Sequence, residues 1–267
     1  MVTEAGADVS PVEQGVVDLR FVGHATVLID IAGTRVLTDP FLRPRLGPLE
    51  RHGQEPDPAT LGEIDVVLIS HGHQDHFDRA SLSAIEGRPL LVVPRGLGAA
   101  ARRWTGAEVL ELSVGERTRF GEVSIEAVPA RHWVTPAAAR ARPQGYVLDA
   151  GPRLWFAGDT GRLPPDQRPT TPIDVALLPV WTWGPHRGPG HLGPRSAADT
   201  IREVDARVAV PIHWGTLYPR RLHRVWRAPL TEPGDRFAAH AALLAPRTSV
   251  RVLRPGERTT ISLGGLR

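Results

Sequence analysis

The sequence predicts an α/β fold whose strand ends release metal-ligating side chains, and three observations carry that reading. Short apolar, β-branched runs alternate with stretches of helical period along the chain. Four of these runs end directly in loops that present histidine or aspartate, at His71, His132, Asp159 and His213. The densest of them, Val66–Asp78, places His71, His73, Asp75 and His76 within six residues of a buried strand. Alternate side chains of an extended segment point the same way, so His71 and His73 can grip one ion together. Asp75 and His76, where the chain turns into the next helix, can face a second. Imidazole with carboxylate is the ligand set of zinc and its first-row neighbours.

Each element follows from local pattern. Val17–Arg20 runs into a strand-rich stretch from Phe21 to Ile31; Ala32-Gly33-Thr34 turns, and Arg35–Thr38 returns as the hairpin partner. Asp39-Pro40 ends that strand; Asp39 is either a carboxylate that orients a metal-bound histidine or a solvated turn residue. Residues 43–60, with several prolines and glycines, read as one long irregular loop. Asp78 can cap a helix through Ile85, stopped by Gly87. Leu90–Val93 is a strand and Leu97–Trp104 a helix; strands follow at Glu108–Leu110, Arg117–Phe120 and Val123–Val128, the last delivering His132. Gly145–Asp149 and Arg153–Ala157 form a hairpin around Gly151-Pro152, ending in Gly158-Asp159-Thr160-Gly161. Val175–Leu178 leads to a Gly/Pro/His loop, Ser196–Val204 is helical, and Val208–Val210 precedes His213. Phe237–Leu244 reads as a helix and Val250–Leu253 as a last strand.

Composition narrows the chemistry. The 267 residues, 41% hydrophobic, suffice for a sizeable core. Cysteine is absent, which excludes disulfides, thiolate zinc clusters and cysteine nucleophiles. The net charge is only +3 and every basic residue is arginine, so the high isoelectric point does not argue for nucleic acid. No stretch reaches the roughly 20 apolar residues of a membrane span. Met1–Gln14 lacks the basic head and apolar core of a signal peptide, so a cytoplasmic protein with a loosely ordered tail over 1–14 and one domain over 15–267 is expected.

With His-x-His-x-Asp-His at 71–76, His132, Gly158-Asp159-Thr160-Gly161 and His213 in that order, the chain resembles the metallo-β-lactamase superfamily. Gly23-His24-Ala25-Thr26, Leu37-Thr38-Asp39-Pro40, Ala130-Arg131-His132-Trp133 and His213-Trp214-Gly215-Thr216 are similar to the branch containing N-acyl-phosphatidylethanolamine phospholipase D and L-ascorbate-6-phosphate lactonase. The resemblance implies a four-layer αββα sandwich with a two-metal centre on one edge. By carry-over, His71, His73 and His132 would hold the first ion, Asp75, His76 and His213 the second, and Asp159 would bridge. Two such ions, zinc or else manganese or iron, would ionise a shared water near neutral pH. That water would cleave a small phosphodiester, phosphorylated lactone or other ester, with Asp75 and His191 taking part. A nuclease and an iron-dependent oxidoreductase are the alternatives on the same scaffold. No Gly-x-Ser-x-Gly elbow competes with this reading.

Other residues carry less. His191, before a helix, matches a family position near the substrate and is either a phosphate or carbonyl contact or proton donor in the pocket, or a loop histidine. His24 is expected to be a buried structural residue, and His52, His186, His223 and His240 to face solvent. Trp133, Trp181, Trp183, Trp214 and Tyr218 lie near ligands or strand ends and either wall an apolar pocket or pack in the core. Arg220, Arg221, Arg224 and Arg227 form a basic run that reads as a solvated face, with attraction of an anionic substrate as the alternative. The expected partner is a small, anionic molecule; nucleic acid is not favoured, and a homo-oligomer is compatible with the sequence.

Overall fold

The computed structural model describes residues 15–133, 141–170, 172–182 and 190–263. The first half contains β1 (Val16–Gly23), β2 (Thr26–Ile31), β3 (Thr34–Thr38), β4 (Arg45–Leu46), β5 (Leu49–Arg51) and β6 (Val66–Leu68). It continues through α1 (Arg79–Ser83), β7 (Leu90–Pro94), α2 (Gly98–Thr105) and β8 (Val109–Leu112). Next come β9 (Arg117–Phe120), β10 (Val123–Pro129), β11 (Gln144–Asp149), β12 (Arg153–Phe156) and β13 (Ile173–Pro179). The chain then forms α3 (Pro194–Glu203), β14 (Ala206–Ile212), β15 (Leu217–Pro219), α4 (Ala228–Thr231), α5 (Pro233–Leu244), β16 (Ser249–Val250) and β17 (Arg258–Ser262).

Two seven-stranded sheets run in the orders β17-β1-β2-β3-β6-β7-β8 and β16-β14-β13-β12-β11-β10-β9. Each is antiparallel on one side and parallel on the other; β3, β6, β7 and β8 pair in parallel, as do β12, β13, β14 and β16. Helices cover the outer faces, which makes an αββα sandwich. Alternation along β6 explains the layering. Val66 and Leu68 enter the core between the sheets with Trp155, Phe156 and Val175. Val67 and Ile69 face the other way, towards Leu82 of α1 and Ala101 of α2. Each fully buried side chain of this kind contributes about 1.5–3 kcal/mol. Across the second sheet, Ala197, Ala198 and Ile201 of α3 and Phe237 and Ala241 of α5 complete the core.

Local signals account for most boundaries. Asp78 caps α1, its carboxylate accepting from the Ser81 amide at 2.9 Å. The Gly151 turn joins β11 and β12 in the expected register. Two expectations need correction. Residues 43–60 are not one irregular loop: β4 and β5 pair there, β15 adds to them as a third strand, and Pro58–Leu61 forms a 3₁₀ turn. Proline and glycine flanking such short strands masked them. The last strand lies at β17, paired with β1; the apolar run at 250–253 pairs only through Ser249–Val250. The basic run after β15 contains a 3₁₀ turn at Leu222–Arg224 and leads into α4. Trp183, His186 and the 1–14 tail lie outside the described residues. Among the described residues, no helix is long and apolar enough to cross a membrane.

Candidate metal centre

The parallel strands end at one edge, where the carboxyl ends of α/β sheets place functional loops. Beyond β6, His71 Nε2 stands 2.9 Å from His73 Nδ1, and His132 Nε2, beyond β10, stands 3.1 Å from the same atom. Three ring nitrogens facing one point make a poor hydrogen-bond set, because one imidazole nitrogen cannot serve two others. Ligands bound about 2.0–2.1 Å from a common ion lie about 2.9–3.4 Å apart; His71 and His132 each stand at that spacing from His73, and all three nitrogens lie within 4.8 Å of one another.

A second group lies beside the first. Asp75 Oδ2 is 2.9 Å from His24 Nε2, 3.5 Å from His76 Nε2 and 4.0 Å from His213 Nε2. Asp159, in the turn after β12, reaches both groups. Its Oδ1 is 3.2 Å from His213 Nε2, while its Oδ2 is 3.4 Å from His76 Nε2 and 3.9 Å from His132 Nε2. His191 Nδ1 approaches the same Oδ2 at 3.6 Å. His76 Nε2, His213 Nε2 and Asp159 Oδ1 are buried, yet none has a hydrogen-bond partner of usable geometry among the described residues. Buried polar atoms left in this state are costly, and cations between them would satisfy all three.

The supports behind these side chains are ordered. Asp39 is fully buried; its carboxylate accepts from the Ser70 amide at 2.7 Å and faces His76 Nδ1 at 2.7 Å. The Ser70 hydroxyl lies between Asp39 Oδ2 and His71 Nδ1. His213 Nδ1 meets the Trp181 carbonyl at 2.8 Å, and His132 Nδ1 the Gly190 carbonyl at 3.1 Å. These contacts aim Nε2 of each ring at the cluster. The His213 amide donates to the His24 carbonyl at 2.7 Å, which ties the edge of one sheet to the other. His24, Asp39 and His213 all adopt positive φ, at 58°, 32° and 61°. Such backbone is rare outside glycine and gathers at functional sites.

Charge follows the same logic. Burial works to raise the carboxyls of Asp75 and Asp159, yet both sit well below the usual range because surrounding imidazoles offset it, His76 for Asp75 and His213 with His76 for Asp159. In return, burial works to lower His76 and His213, but Asp159 above all holds both raised. Burial pushes His71 well below its normal value, His24 to about 3 and His191 to about 4, so these rings are neutral at pH 7. Two ionised carboxylates and neutral imidazoles suit divalent cations.

The structure therefore gathers His71, His73, Asp75, His76, His132, Asp159 and His213 at one edge, with Asp39 behind His76 and His191 beside Asp159. His24 is buried and hydrogen-bonded, as expected of a structural residue, and its partner is Asp75, so it stands within the cluster as well. Trp214 does not line a pocket: it is buried in the core, donates from Nε1 to the Pro211 carbonyl at 3.0 Å and packs on Gly234, where a Cβ would come within 2.4 Å of its ring. Trp181 packs partly against the core and contributes its carbonyl. Trp133, next to His132, is 65% exposed. His52 and His223 are not solvent-facing, since both side chains are mostly covered and lie against Glu50.

Comparisons with known proteins agree with the fold. Residues 34–214 match the family described as a beta-lactamase superfamily domain. A Deinococcus radiodurans protein named as a UPF0173 metal-dependent hydrolase is 32% identical, over 91% of this chain and 99% of the relative. An uncharacterized Mycobacterium tuberculosis protein is 32% identical over 88% of this chain, which spans only 66% of that relative's length. A Saccharomyces cerevisiae mitochondrial protein named as an N-acyl-phosphatidylethanolamine-hydrolyzing phospholipase D is 31% identical over 69% of this chain and 44% of the relative. Among solved structures, the metallo hydrolase Igni18 of Ignicoccus hospitalis has a TM-score of 0.70 at 21% identity, covering 93% of this chain and 99% of that one. The diiron beta-hydroxylase CmlA of Streptomyces venezuelae reaches 0.68 at 20% identity, covering 92% of this chain and 54% of that one. On its sandwich and these matches together, the chain belongs to the metallo-β-lactamase superfamily.

Proposed function

We propose that the protein is a two-metal hydrolase of a small anionic phosphodiester, phosphorylated lactone or other ester. The observation that carries this reading is Asp159 standing between two ligand groups, His71/His73/His132 on one side and Asp75/His76/His213 on the other. In this reading those seven residues hold the ions, most simply zinc, with Asp159 shared. When bound, such a pair lowers the pKa of a water towards about 7 and polarises the bond under attack.

The remaining work falls to the chain's own groups. Neutral His24, through its Nε2–H, fixes Asp75 Oδ2 at 2.9 Å, so that Asp75 keeps one orientation as a ligand and as acceptor of the proton from the attacking water. His191, at the rim of the cluster and neutral at pH 7, contacts the substrate by hydrogen bonding; a pKa of about 4 suits it poorly to delivering a proton at that pH. Trp181, whose carbonyl meets His213 Nδ1, contributes apolar surface. The resemblance to a phospholipase does not extend to a lipid substrate, because no described helix combines a long apolar face with a basic one.

A second reading, an iron-dependent oxidoreductase, is favoured by one observation: an all-His/Asp ligand set accommodates iron as well as zinc. Elemental analysis, followed by a panel of chromogenic phosphodiester, phosphomonoester, lactone and β-lactam substrates, separates the two. The expected outcome is about two zinc equivalents per chain and turnover of a phosphate ester or lactone. His73→Ala and Asp159→Ala should each abolish it, while His191→Ala should lower turnover with metal content intact. Iron in the protein with no hydrolysis would overturn the reading in favour of redox chemistry.

A further inference from the structure

We propose that Glu50, His52 and His223 form an additional metal site, apart from the edge centre, that takes one zinc-type divalent cation. The register of the small three-stranded sheet creates it. β5 pairs with β15 so that Glu50 lies opposite Tyr218. Leu49 and Leu217 turn to the other face, where they form a small core with Phe41. In extended chain, residues two apart share a face, so His52 rises beside Glu50. The 3₁₀ turn at Leu222–Arg224 then carries His223 over the same face, anchored by the Arg220 amide on the Pro48 carbonyl at 3.0 Å.

The three side chains close on one point. Glu50 Oε1 is 3.7 Å from His52 Nε2 and 3.4 Å from His223 Nδ1, and the two rings lie 4.6 Å apart between centroids. The side chains are 26%, 19% and 29% exposed, so the cluster is sheltered yet open to a water ligand. An ordinary ion pair explains the arrangement poorly. Both separations exceed hydrogen-bond length, and His52 Nε2 and His223 Nδ1 are buried without a hydrogen-bond partner among the described residues. The two carboxylate–imidazole gaps are slightly wider than the about 3.3 Å between ligands of a tetrahedral ion, and small rotations would close the three donors, all within 4.8 Å of one another, on a cation. Two histidines and one glutamate form a ligand set known to suit zinc. Burial first, with His223 next, keeps His52 below its normal pKa, so it is a neutral ligand at pH 7.

The site would act as a clasp. It joins β5 to the turn after β15, and the His52 amide already donates to the Thr216 carbonyl at 2.7 Å. Thr216 in turn accepts from the His24 amide at 2.8 Å, so the clasp braces the segment that follows His213.

Equilibrium dialysis of the full chain against excess Zn²⁺, with elemental analysis of the bound metal, tests the proposal. The unaltered protein should bind one zinc equivalent more than either His223→Ala or Glu50→Gln, and both variants should keep the equivalents bound at the edge centre. Glu50→Gln preserves side-chain size, so it separates loss of a ligand from loss of fold. Equal zinc content in all three proteins would overturn the proposal.

Discussion

At the residue scale, the strongest local constraint is the Asp39 carboxylate, which accepts from Ser70 and faces His76 in a site without solvent. Asp39→Asn keeps the shape but removes the charge that orients the His76 ring. Metal affinity should fall about 10- to 100-fold, measured by competition with a chromophoric chelator; unchanged affinity would show that His76 is not a ligand. The histidines also predict proton traffic. His76 sits well above its normal pKa in the metal-free chain, so at pH 7 it carries a proton that a ligand cannot keep. Metal uptake at pH 7 should therefore release about one to two protons per chain, and affinity should weaken as pH falls, because more proton must be displaced. Calorimetry in buffers of different ionisation enthalpy reads the count directly; zero release would contradict the assignment. The ligand motifs were legible because the residues are chemically rare and dense. The burial of His24 was legible too, but its pairing with Asp75 was not, since the two are distant along the chain.

At the element scale, the site depends on how closely two strand ends approach. Gly158 precedes Asp159 at φ +59°, and a Cβ there would stand 2.6 Å from Ser70 Cβ. Only glycine admits both the backbone and the contact. Gly158→Ala should cost about 2–4 kcal/mol of stability, from strain plus overpacking, and should displace Asp159 from His71's strand end. Chemical denaturation with parallel metal analysis checks this; full stability and metal content would mean the turn relaxes freely. Strands such as β6 were legible as β-branched runs, and α1 through its Asp78 cap. The β4–β5–β15 sheet was hidden because its strands are only two or three residues long and are set among proline, glycine and arginine. Its existence depends on a pairing between residues 49–51 and 217–219, which no local pattern can reveal. The same distance in sequence concealed the meeting of Glu50 and His52 with His223.

At the scale of the whole molecule, two mixed sheets bring their parallel strand ends to one edge, and each contributes side chains to a cluster that neither could build alone. His71, His73, Asp75 and His76 come from the first sheet's side, His132, Asp159 and His213 from the second. The amide of His213 on the carbonyl of His24 spans the seam between them. Diffraction from zinc-loaded crystals, collected on both sides of the zinc absorption edge, tests this convergence most directly. The account predicts two anomalous peaks about 3.5–4 Å apart, one against His71, His73 and His132, the other against Asp75, His76 and His213, with Asp159 touching both. A map with no anomalous density between His71 and His213, at a zinc concentration that saturates binding, would contradict it.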